Sequence, residues 1–341
     1  MREVLSEYEL ELVQRAHFLG VPPLRKAIAD YLYRSRGMSV SPECIVIGAS
    51  IEYLYEKLIK LLPERSVYGA ENPGYRKIPR IYEEFGLPWK SIEMDESGIS
   101  MDSLRESGAN IVHVSPEHHY PLGTVTTAGR RQELLSWAAE AADRYIIEDD
   151  YDCEFRYSTK SIPALQSMDL SHRVIYMNTF SKSLAPAIRI SYMVLPRKLM
   201  EHYIARANFY SNSASSCEQY ALARFIENGS FERHLSRLKK YYRLEGERLL
   251  RIIKQSSLIP ASCITGGSCG THLLVYLDTS LTDVETRWAA RSKGINLACL
   301  SEFCTEIHPE YEHVLVLNYC DLDERTLAET VRRLGNIFIQ W

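Results

Sequence analysis

Lys182 lies in a run that supplies partners for covalent chemistry: Asn178-Thr179-Phe180-Ser181-Lys182-Ser183, followed by Arg189. An amine flanked by two hydroxyls and a guanidinium suits Schiff-base formation with a carbonyl compound that also carries a phosphate. The hydroxyl and guanidinium donors hold the anion while the amine meets the carbonyl. Upstream stands the acidic run Glu148-Asp149-Asp150-Tyr151-Asp152, which reads as a ligand-facing cluster, a helix cap or a metal cluster. Further upstream, Gly48-Ala49-Ser50-Ile51 offers Ser50 and Ile51 as backbone donors to an anion, at the positive end of a helix. A plain strand-to-helix turn needs the same small residues. His118-His119 would suit a metal, but no third ligand follows at a recognisable spacing, so no metal is expected. The eight cysteines form no pair of CxxC motifs and read as reduced, packed thiols.

The elements that must position these residues alternate. Ile45-Val46-Ile47 reads as a buried strand, followed by a helix with Ile51, Leu54, Leu58 and Leu61 at helical spacing until Pro63 stops it. Further strands are predicted at 111–114, 145–148, 174–177 and 190–195, with a helix over 129–142. This pattern predicts an α/β fold with a large, mainly parallel sheet covered by helices. Both the acidic run and the Lys182 run begin just past a strand, where ligands bind in open α/β sheets. From about Arg206 a charged, helix-rich stretch runs to Gln255, and strands at 273–277 and 314–317 with a closing helix predict a smaller α+β domain. The expected boundaries are a large domain over 40–212 and a second unit made of 1–39 with 213–341.

The runs IIEDDYDCEFRY, NTFSKSLAPAIRISYMVLP and SPEHHYPLG carry a resemblance. The chain resembles the fold-type I aminotransferases that use pyridoxal 5'-phosphate (PLP), and within them the aminotransferase-like domain of MocR-type regulators of the GntR family. The likeness runs from about Val21 to the end. It implies that Lys182 is the internal-aldimine lysine, that Asp149 pairs with the pyridinium nitrogen and that Tyr151 donates to the cofactor's phenolic oxygen. It also implies phosphate contacts from Ser50, Ile51, Thr179, Ser181 and Arg189, stacking of Tyr75 on the ring, and an approach of His119 or Tyr120 to the cofactor oxygen. A homodimer with the site near the subunit interface is the corresponding assembly.

The sequence departs from that family in three places. No winged helix-turn-helix precedes Val21, so this chain itself is expected not to bind nucleic acid. The charge balance agrees: 40 Lys plus Arg against 44 Asp plus Glu give a net −4. The tyrosine that often reaches the neighbouring subunit's phosphate is missing, with Arg15 nearest its place. The position of the substrate-carboxylate arginine, three residues before Tyr319, holds Val316. Two functions remain open on one site: a sensor domain that binds PLP and a small amino compound or amino acid, or an aminotransferase working by ping-pong transfer to a 2-oxo acid. The missing arginine and the regulator-like motifs favour the sensor. No apolar stretch reaches the roughly 18–20 residues of a membrane span, and the start lacks a signal-peptide pattern, which makes the cytoplasm the expected location.

Overall fold

Alternation along the predicted strands decides how the main sheet is covered. In the computed structural model, which describes residues 2–157, 162–256, 264–320 and 324–338, eight strands form one mixed sheet. They are β1 (Ile45–Gly48), β2 (Tyr68–Asn72), β3 (Trp89–Asp95), β4 (Gly98–Ile99), β5 (Ile111–Val114), β6 (Tyr145–Asp149), β7 (Val174–Thr179) and β8 (Ser191–Val194). Their order is β1-β8-β7-β6-β5-β2-β3-β4. Pairing is parallel from β3 through β2, β5 and β6 to β7, and antiparallel at β3–β4, β7–β8 and β8–β1. Val46, Ile147, Ile175, Met177 and Met193 pack on one face with the helices Ile51–Ile59, Lys77–Glu84 and Arg197–Ala207. Their strand neighbours Ile45, Ile47, Tyr176, Tyr192 and Val194 pack on the other with Pro22–Arg36 and Ser216–Glu227. Burial on both faces explains why these strands read as continuous apolar runs.

A second, four-stranded antiparallel sheet has the order β11-β12-β10-β9, from β9 (Ile264–Gly266), β10 (His272–Tyr276), β11 (Ala298–Cys299) and β12 (Val314–Asn318). The helix Ser230–Gln255 reaches both cores. Its Phe231 and Leu235 pack with the main-sheet cluster, whereas Leu249 and Ile253 pack with Leu273, Val275 and Leu315. The strands predicted from β-branched runs are present. The predicted helix after β1 ends at Ile59, ahead of Pro63. β2 was not predicted: Tyr68-Gly69-Ala70-Glu71-Asn72 lacks β-branched residues and holds two polar ones, yet it is buried throughout between β3 and β5.

The acidic run at the end of β6 splits by strand alternation. Glu148 accepts hydrogen bonds from the Leu165 and Gln166 amides at 2.7 and 2.8 Å. Asp150 accepts from Arg36 at 2.8 Å and from the Tyr176 hydroxyl at 2.7 Å. Only Asp149 between them points the other way, into the site. Arg36, at the end of the helix Pro22–Arg36, also lies 3.3 Å from Glu117, which takes Arg131 at 3.6 Å and Arg156 at 3.1 Å. Arg36, Glu117 and Asp150 are all buried. Removing one member of such a network strands an opposite charge in the interior. Arg36→Met is therefore expected to cost about 3–5 kcal/mol in urea unfolding. A loss below about 1 kcal/mol would show that water already solvates the network.

Candidate functional site

A cavity of about 360 Å³ opens at the carboxyl ends of β2, β5, β6 and β7. Asp149 ends β6, and Thr179 ends β7 and caps the short helix Phe180–Ser183 that carries Lys182. The parallel register sets Asp149 beside Met177, so the acidic run and the lysine run face one space, as their places in the sequence predict. Lys182 makes no hydrogen bond or ion pair among the described residues.

At one end the Asp149 carboxylate is buried and lies 3.4 Å from Nε2 of His113, which sits on the adjacent strand β5. Tyr151 is near, its phenol held neutral because burial pushes its pKa well up. Its hydroxyl lies 3.3 Å from Nδ1 of His118, and that nitrogen is 2.7 Å from Asp152. Burial opposes a charge on His118, but Asp152 outweighs it and lifts the imidazole to about 10. His118 is thus an imidazolium, and its ring packs against His272, where burial and the His118 charge push the pKa down to about 4. Gly270 permits this packing: it has φ +67°, and a Cβ there would overlap the His118 ring.

The opposite end is lined by hydroxyls and cations. Ser191 donates to Thr179 Oγ1 at 3.0 Å, and Thr179 donates to Ser181 Oγ at 3.1 Å. Arg189 and the start of the helix Ile51–Ile59 complete this end, with Ile51 on the lining and Ser50 as the helix cap, its hydroxyl accepting from the Tyr53 amide. Tyr75 and Tyr120 stand edge to face, centroids 6.3 Å apart, and Tyr120 meets Phe303 in the same way at 5.2 Å. These rings make an apolar wall.

Among the residues predicted from sequence, Ile51, Tyr75, Tyr120, Asp149, Tyr151, Thr179, Ser181, Lys182 and Arg189 come together on the lining. Ser50 stands behind it as the cap. His119 also lies off the lining, fully buried, with Nε2 3.5 Å from Glu71. Burial lowers His119 to about 3 and raises Glu71 to about 7, so the two meet as neutral groups near pH 6 and not as an ion pair. Arg15 donates to the Phe209 carbonyl at 2.5 Å and to Ser211 at 3.1 Å. Val316 is buried in β12 among Leu274, Leu300 and Val314, and the cations on the lining are Lys77, Lys182 and Arg189. Sequence reading missed Glu52, Lys77, Ser115, Ser191, Phe303 and Asn318. Ser115 stood one residue past a predicted strand and was findable, whereas Phe303 and Asn318 arrive only through the second sheet.

A family model described as aminotransferase class I and II matches residues 14–333. The chain is 36% identical over 330 residues to the HTH-type transcriptional regulator YdeL of Bacillus subtilis, covering 97% of this chain and 70% of that one. It is 37% identical over 315 residues to YhdI, another HTH-type regulator of Bacillus subtilis, covering 92% and 66%. With the HTH-type pyridoxine biosynthesis regulator PdxR of Corynebacterium glutamicum it shares 31% over 286 residues, 83% of this chain and 61% of that one. The chain thus spans roughly two thirds of the length of these relatives. Among solved structures, the kynurenine aminotransferase of Pyrococcus horikoshii superposes with a TM-score of 0.85 at 23% identity, covering 99% of this chain and 85% of that one.

The His118–Asp152 pair has a consequence for stability. A group raised from 6.5 to about 10 stabilises the fold fully below its unfolded pKa and loses that contribution as pH rises through the folded one. Thermal melts should therefore show the midpoint falling between pH 6.5 and about 10, with a shallower fall in His118→Gln. Equal slopes in the two proteins would contradict a charged, buried His118.

Proposed function

The chain belongs to the aminotransferase class I and II family, and on that premise we propose that it is the PLP-binding, effector-sensing domain of a MocR/GntR-type transcriptional regulator. One observation carries the reading. A single cavity brings the free Lys182 amine together with a buried carboxylate, a neutral phenol and a cluster of anion donors, while Val316 leaves the β12 side without a guanidinium. The donor set fits PLP: an amine for its aldehyde, Asp149 for its ring nitrogen, and hydroxyls, a helix end and Arg189 for its phosphate.

When bound, the cofactor supplies an aldehyde that condenses with amines and a ring that draws electrons from the attached carbon. Each residue has a separable part. Lys182 holds the cofactor covalently and accepts or returns a proton when an incoming amine replaces it. Asp149 keeps the ring nitrogen protonated, and His113 orients its carboxylate. Tyr151 donates to the phenolic oxygen, and the charged His118 beside it resists any loss of the phenolic proton to that side. Tyr75, exposed at the mouth, covers the ring face, and Thr179, Ser181 and Arg189 hold the phosphate.

The effector is a small amino compound or amino acid. Without an arginine at Val316 a bidentate clamp on an α-carboxylate is missing, which favours sensing over efficient turnover. The working form is a homodimer in the cytoplasm. Phe209 and Tyr210, beside the Arg15 contact, are 65% and 43% exposed and suit coverage by a second copy. The described residues contain no helix long and apolar enough to cross a membrane.

Two measurements test these statements. A panel of amino compounds added to the PLP-loaded chain should change its absorption spectrum saturably, with no keto acid formed beyond one equivalent. Sustained keto-acid formation with a second oxo acid present would instead establish an aminotransferase. Arg189→Ala should weaken PLP by about tenfold or more, as loss of a charge-assisted contact of about 1.5–3 kcal/mol implies, and pyridoxal far less. Equal weakening of both would point to a folding defect and against a phosphate contact.

A further inference from the structure

Glu52 stands as an anion in the end of the cavity that is otherwise built for one. Its carboxylate accepts from Lys77 at 2.6 Å and lies 3.6 Å from Arg189 Nη2. It is the second residue of the helix Ile51–Ile59, where the first-turn amides favour negative charge. Burial opposes its ionisation, but the Lys77 bond and the amide at the helix start outweigh it and hold the carboxyl at about 2. Glu52 is therefore charged throughout the working pH range. Neither the sequence pattern nor the reading of Arg189 as a phosphate ligand accounts for it.

Arg189 and this helix end are among the groups assigned above to the phosphate of PLP, beside the Thr179 and Ser181 hydroxyls. A phosphate on the same guanidinium meets the Glu52 carboxylate at close range, and like charges there repel. We propose that Glu52 is the resident counter-ion of the anion subsite: phosphate must displace it from Arg189, and this competition holds PLP at an affinity that lets it exchange. Lys77 is placed to keep the displaced carboxylate paired, since it already carries the shorter of the two contacts. Competition of this kind acts on phosphorylated ligands alone, so pyridoxal, which forms the same bond to Lys182, is blind to it. The inference rests on the cofactor site proposed above.

The test is equilibrium binding of PLP and of pyridoxal to the full chain and to Glu52→Gln and Glu52→Asp, with circular dichroism melts to check folding. Glu52→Gln is expected to tighten PLP by about tenfold or more through removal of one nearby negative charge, and to change pyridoxal by less than about twofold. Glu52→Asp keeps the charge but draws it back from Arg189, and should give an intermediate gain for PLP. Inorganic phosphate should compete with PLP more strongly in Glu52→Gln than in the parent chain. Unchanged or weakened PLP binding in folded Glu52→Gln, or in Glu52→Asp if the first variant does not fold, overturns the proposal and makes Glu52 a positioning partner of Arg189. PLP binding to the parent chain that survives intact in Lys182→Ala would fail the site reading itself, a result distinct from either.

Discussion

A buried guanidinium must be met by carboxylates, and Arg36 imposes that demand on the rest of the molecule. It stands at the end of the helix Pro22–Arg36 and binds Asp150 just after β6 and Glu117 just after β5. Three separate parts of the chain are thereby fixed to one point behind the cavity. With Asp150 tied to Arg36 and Glu148 tied to two amides, strand alternation leaves Asp149 facing forward. Tyr151 follows at the turn, and Glu117 anchors the segment that presents His118 and Tyr120. The acidic run is thus four carboxylates with four tasks, since Asp152 pairs with His118, and they do not converge on one point.

Charge is sorted with equal care within the site. His118 is held as an imidazolium by Asp152, while the adjacent His119 and the neighbouring ring of His272 are held neutral by burial and by that same charge. Three histidines within one turn of chain and one ring contact therefore carry a single proton's worth of excess charge. The far end of the cavity is cationic and contains its own anion in Glu52. Such a cavity suits a ligand with a protonated ring at one end and a phosphate at the other.

Much of this was legible in the sequence because strand ends are local events. Thr179, Ser181, Lys182 and Arg189 lie in one run at and just past the end of β7, and Asp149 and Tyr151 in another at the end of β6, so reading two strands correctly was enough to aim them at one space. His113, behind Asp149, was not legible: it sits inside a strand, and its meeting with Asp149 depends on the register of β5 against β6. Glu52 and Lys77 come from different helices and meet only because both flank the cavity. β2 escaped notice because its burial comes from neighbours on both sides and not from its own residue types. Of the two alternatives His119 and Tyr120, which the sequence left open, Tyr120 lines the cavity whereas the imidazole of His119 lies inward at Glu71, a difference set by the turn of the backbone and not by residue type.

The cavity contains two lysines, Lys77 and Lys182, and only Lys182 is expected to bond to the cofactor. Borohydride reduction of the PLP-loaded chain, followed by peptide mass mapping, asks which amine carried the cofactor. A stable phosphopyridoxyl group is expected on the peptide containing Lys182 and none on that containing Lys77. Label on Lys77, or spread over surface lysines, would contradict the site built here at the ends of β6 and β7.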